Sequence, residues 1–196
     1  MDKATVRKSF QTTWDEWTSA LAEIDPALTR EPGVADDWTI HDVAGHVQGY
    51  VRYWLLQLRA AFELVAPSPE DSNGDRQWPE GVDDGTLHKR NEAIRLSVQP
   101  MSWQQLLDEA AWLRERTLDF IDARTEDELN EDAGWVHYFD PSVERPDDLD
   151  IHIRRVNDAP NAEGPMAVWR FTDPDGSDGH MHEHLDQIRS WLAKRT

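Results

Sequence analysis

At 196 residues the chain can bury one sizeable core. Its 20 basic and 39 acidic residues give a formal net charge of 20 − 39 = −19, which argues against nucleic acid and anionic membranes as partners. It has no cysteine, which excludes disulfides, thiolate metal ligands and a cysteine nucleophile.

The bland reading of the acidity is solubility, and the sharper one is a surface for a basic partner. No stretch approaches the ~18 apolar residues of a membrane span. The first residues lack the apolar core of a signal peptide. A cytoplasmic protein is therefore expected, folded as a single domain over residues 1–196.

The first helix is predicted over residues 3–24. Val6, Phe10, Trp14, Trp17, Leu21 and Ile24 step by three or four and make one apolar face. Asp25-Pro26 ends it, because the residue before proline is pushed out of helical geometry. The stretch to Asp37 reads as a loop.

The second helix opens at WTIHDVAGHVQGYVRYW. Thr39 is its expected N-cap, with Asp42 completing a capping box. Val43, His46, Val47, Tyr50, Trp54, Leu58 and Ala61 form the inner stripe. His41 is offset from that stripe and is expected to be exposed. Residues 67–85 read as loop from composition.

A helical piece over 87–98 follows and is broken by Gln99-Pro100. Ser102 and Gln105 then form an S-x-x-Q box at the head of a helix ending near Arg124. Its inner face is Leu106, Ala110, Leu113, Thr117, Phe120 and Ile121. Residues 126–178 form a long polar insertion. Within it, Leu149, Ile151 and Ile153 alternate, as do Val168, Trp169 and Phe171, so the two pieces could pair as a small β-hairpin. A last helix is expected from Ser177 or Asp178 to about Lys194.

Four long amphipathic helices make a four-helix bundle the economical architecture. Trp14, Trp17, Trp54 and Trp112 are read as core, with Tyr50 and Trp54 also placed to line a pocket beside His46.

The chemistry is carried by histidines. His180 and His184 in HMHEHLDQIRSWL are four apart and share a helix face. His182 lies about 160° away and is read as solvated. His46 supplies a third imidazole from the second helix. Such a group is either buried packing that needs hydrogen-bond partners or a metal site. Three imidazoles suit zinc, nickel, copper or iron(II), with zinc or nickel foremost, and leave a coordination position open. The pattern is not H-E-x-x-H, and Glu183 is read as a surface residue or a helper at the pocket rim. The pairing requires the last helix to have begun by His180. His88 is expected at the surface. So are His137 and His152, whose alternative is a ligand or base brought over by the insertion. No catalytic or cofactor-binding residue beyond the metal set is assigned.

WTIHDVAGHVQGYVRYW resembles the second-helix signature of the DinB/YfiT-like superfamily, and HMHEHLDQIRSWL resembles its last helix. The resemblance implies an all-α bundle in up-down-down-up order, with a divalent metal held by His46, His180 and His184. It also implies candidate activities. Members of that superfamily with known activities include S-transferases using bacillithiol or mycothiol and the mycothiol-dependent maleylpyruvate isomerase, and others look like hydrolases. The lack of cysteine fits a low-molecular-weight thiol arriving as cosubstrate.

The expected function is thus a divalent-metal-dependent enzyme acting on a small-molecule substrate: a thiol-dependent S-transferase or isomerase, or a hydrolase. The alternative is a non-catalytic metal-binding or stress-related bundle acting through protein interaction. Bundles of this kind can also form homodimers through an outer helix face, though no apolar stripe is left over for it.

Overall fold

The computed structural model describes residues 1–63, 87–133, 166–172 and 179–195. Helix α1 spans Lys3–Ala22, with Asp2 as its N-cap accepting from the Thr5 N–H. Val6, Phe10, Trp14, Trp17 and Leu21 are all buried, as their spacing requires. A short 3-10 turn, Pro26–Leu28, is capped by Asp25.

The expected loop to Asp37 instead contains strand β1, Pro32–Ala35, paired antiparallel with β2, Trp38–Thr39. Two- and four-residue strands carry no periodicity, so their pairing depends on partners the local sequence does not announce.

Helix α2 is Ile40–Glu63. The Thr39 backbone N–H donates to Asp42 Oδ2 at 3.0 Å, and the Asp42 N–H donates to Thr39 Oγ1 at 3.1 Å. This reciprocal pair satisfies two otherwise orphaned donors and fixes where the helix starts. Helix α3, Leu87–Val98, runs back along α2. Helix α4, Trp103–Ala123, begins at the expected Ser102/Gln105 capping box, and all six expected inner-face residues are buried.

The insertion expected over 126–178 has structure at both ends. Helix α5, Glu126–Asn130, starts from a third capping box, at Thr125. Strands β3, Asp132–Ala133, and β4, Met166–Ala167, pair antiparallel. Helix α6 covers Val168–Thr172. Val168, Trp169 and Phe171 are therefore helical, and the hairpin expected there is corrected. Val168 is fully buried, and burying it from a single helical turn replaces alternation as the organising constraint. Leu149, Ile151 and Ile153 lie outside the described residues. Helix α7 is His180–Ala193.

Cross-helix contacts set the directions. Trp14 Nε1 donates to the Ala110 carbonyl at 2.8 Å, while Lys3 Nζ reaches the Arg124 carbonyl at 2.7 Å, so α1 and α4 are antiparallel. His41 lies against Met101 and Phe62 against Phe120, so α2 and α4 are parallel. Helix α7 starts beside His46 and ends with Trp191 Nε1 donating to the Pro32 carbonyl, antiparallel to α2. The order is up-down-down-up for α1, α2, α4 and α7, with α3 in the crossover.

Candidate metal centre

His46 lies two turns into α2, a position fixed by the Thr39/Asp42 box. Val43, Ala44, Gly45 and Val47 around it are small and apolar, and every residue from Ile40 to Gly49 is buried. Gly45 and Gly49 bring α3 close: a Cβ on Gly45 would overlap Val98, and one on Gly49 would overlap Ile94. The His46 ring is boxed by two aromatic edges, Trp38 at 5.2 Å and Tyr50 at 5.0 Å between centroids. The Tyr50 hydroxyl donates to Asn91 Oδ1 on α3 at 2.7 Å.

Helix α7 begins at Gly179, whose φ of 67° is a left-handed conformation that glycine adopts without strain. The Glu183 N–H donates to the Gly179 carbonyl at 2.8 Å and closes the first turn. The helix has therefore begun by His180, and His180 and His184 lie one turn apart on one face.

The three imidazoles converge. His46 Nε2 is 3.4 Å from His180 Nε2, and His180 Nε2 is 3.1 Å from His184 Nε2. Among the described residues, these three form a group whose ligand atoms lie within 4.8 Å of one another, and no carboxylate joins it. Two nitrogens bound at 2.0–2.1 Å to one tetrahedral ion stand about 3.3–3.4 Å apart, and about 2.9 Å apart at a right angle. The observed separations fall within that interval, so the residues fit a metal ion.

The protonation states are also constrained. His184 Nδ1 lies 2.9 Å from Gln187 Oε1, a carbonyl oxygen that can only accept. The His184 proton is therefore on Nδ1 and its Nε2 presents a lone pair. With that proton placed, neutral tautomers can put a hydrogen into only one of the two Nε2···Nε2 contacts. Burial, then the neighbouring His184 and His180, push the His46 pKa down to about 3. Burial also lowers His184, partly opposed by its bond to Gln187 and by Glu183. An added proton is thus disfavoured at both rings.

Other residues divide as follows. His182 Nε2 is 3.4 Å from Glu16 Oε2 on α1, with its side chain 44% exposed, as a solvent-facing residue should be. Glu183 is exposed. Trp14 and Trp17 are buried, and Trp54 and Trp112 pack against the core. His41 corrects the expectation: it is fully buried. Its Nε2 lies 2.9 Å from the Met101 carbonyl and 3.0 Å from Arg30 Nη2. The start of α2 is enclosed on all sides, so no face of it is left for solvent. His137 and His152 lie outside the described residues, as does the His88 side chain. Sequence reasoning missed Gln187, whose one signal was its place three residues after His184.

A family model described as the DinB superfamily matches residues 9–145. The chain belongs to the DinB superfamily. The matched residues include His46 and stop before α7. Two solved structures share the fold. A protein from Streptococcus pneumoniae is 16% identical with a TM-score of 0.63, over 98% of this chain and 91% of that one. An uncharacterized protein from Clostridium difficile 630 is 14% identical with a TM-score of 0.64, over 98% of this chain and 96% of that one. At these identities the likeness speaks to fold alone. No curated protein matches the chain. No helix among the described residues is long and apolar enough to cross a membrane.

Proposed function

We propose that the protein is a divalent-metal-dependent enzyme in which His46, His180 and His184 hold the ion, with zinc or nickel foremost. One observation carries this reading: three buried or half-buried imidazoles aim Nε2 at a common point, and neutral tautomers cannot satisfy both contacts. A cation resolves the arrangement, and burial disfavours a proton in that role.

Such an ion, when bound, supplies Lewis acidity and lowers the pKa of a water or thiol taking the position the protein leaves open. The chain's own residues do the rest. Trp38 and Tyr50 wall off His46 from water, and α7 orients the other two rings. The chain has no thiol of its own, so thiol chemistry requires a low-molecular-weight cosubstrate. The reaction we favour transfers such a thiol to a small electrophilic substrate, by substitution or by an addition that permits isomerisation. Hydrolysis by the same centre is the competing outcome.

Metal analysis of protein purified without a histidine tag tests the reading. Near-stoichiometric metal, lost in His46→Ala and His184→Ala, is expected. Metal-free protein whose stability ignores chelators and both substitutions would leave a non-catalytic bundle. With metal present, turnover of electrophiles only with added thiol supports transfer, and ester or amide cleavage without it supports hydrolysis.

A further inference from the structure

The three candidate ligands are not held alike. His184 Nδ1 donates to Gln187 Oε1 at 2.9 Å, one helical turn further along α7. His46 has no such support: its Nδ1 is buried with no hydrogen-bond partner. A histidine ligand whose second nitrogen is tied has its tautomer and ring angle fixed before the ion arrives.

We propose that Gln187 is a positioning residue that presets the tautomer and ring angle of His184 before an ion arrives. The inference rests on the metal-centre reading above. The amide group suits the task for two reasons. Its oxygen can only accept, so it commits the imidazole proton to Nδ1 and leaves Nε2 free. It is also uncharged, so it fixes the tautomer without placing a carboxylate beside a ring that must stay neutral. The i, i+3 spacing on one helix makes the contact independent of how the other helices pack. Gln187 is half-buried and also lines an outer cleft with Gly33, Val34 and Trp191, so its substitution leaves the core untouched.

The test uses the full chain and zinc ion alone. In the metal-free protein at pH 8, imidazole 15N NMR, assigned by comparison with His184→Ala, should show His184 protonated at Nδ1. In Gln187→Leu the Nε2–H form should appear. Zinc affinity, measured by competition with a chelating indicator, should weaken by about 10–100-fold in Gln187→Leu. Gln187→Glu, which keeps an acceptor, should restore the Nδ1–H tautomer at pH 8. An Nε2–H tautomer in the wild type, or a Gln187→Leu variant with unchanged tautomer and affinity within twofold, would overturn the proposal. Failure of the metal reading looks different: the wild type then takes up no zinc, and the NMR comparison alone decides the role of Gln187.

Discussion

The guanidinium of Arg52 on α2 lies against the carboxylate of Glu109 on α4, with side chains 3% and 0% exposed. Arg52 Nε donates to Glu109 Oε1 at 2.8 Å, and the Trp112 ring covers the guanidinium at 5.1 Å. Two charges inside a bundle core are tolerable only together. Glu109→Leu strands the Arg52 charge and should destabilise the metal-free protein by about 3–5 kcal/mol in urea unfolding. The double substitution Arg52→Met with Glu109→Leu should recover most of that loss. A Glu109→Leu variant of wild-type stability would mean the pair can open to solvent.

The approach of α3 to α2 gives a second prediction. A Cβ at Gly45 meets three atoms of the Val98 side chain, which is β-branched and cannot swing away. A Cβ at Gly49 crowds one methyl of Ile94. Alanine gains about 1 kcal/mol of helix propensity over glycine, against about 1–3 kcal/mol for overpacking. Gly45→Ala should therefore lower stability by about 1–2 kcal/mol, and Gly49→Ala should cost less. Val98→Ala should relieve the Gly45→Ala variant, a coupling that a double-mutant cycle in urea would detect.

The pH dependence follows from His46. Its folded pKa of about 3 lies below the ordinary 6.5, so between those values the unfolded chain binds the proton and the folded protein does not. The His46 contribution is complete above about pH 6.5 and is lost as pH falls. Between pH 6.5 and pH 4 the loss is on the order of 3 kcal/mol. His184, also lowered, adds to it with the same sign. Urea unfolding of chelator-treated protein at pH 7 and pH 4 measures the total. His46→Phe should show a shallower slope, and the difference isolates His46 from the carboxylates that titrate in the same range.

These sites differ in how far the sequence could reveal them. The long helices were readable because burial enforces a period near 3.6, and the Thr39/Asp42 and Ser102/Gln105 boxes mark where α2 and α4 begin. His46, His180 and His184 were readable because the first falls on an apolar stripe and the others are one turn apart. Other features were not readable. His41 sits in a segment buried on every side, so amphipathic reasoning had no outer face to assign correctly. Glu109 looks like a surface residue until Arg52 on another helix explains it. The β3 and β4 strands pair residues 132–133 with 166–167, a contact with no local signature.

The start of α2 supplies the last prediction. Asp42 Oδ2 accepts from both the Thr39 N–H and the Thr39 hydroxyl, at 3.0 and 2.7 Å, and Oδ1 accepts from Gln99 Nε2. Arg95 approaches to 3.8 Å from α3. One buried carboxylate thus ends the β1–β2 hairpin, starts α2 and anchors the α3–α4 turn. Asp42→Ala removes the cap and leaves the Gln99 amide without this acceptor, and should cost about 1–2 kcal/mol in thermal or urea unfolding. The loss should also be local. Amide exchange at residues 40–44 should quicken, while the middle of α4 keeps its protection. Faster exchange spread evenly over α2 and α4 would show instead that Asp42 supports the bundle as a whole.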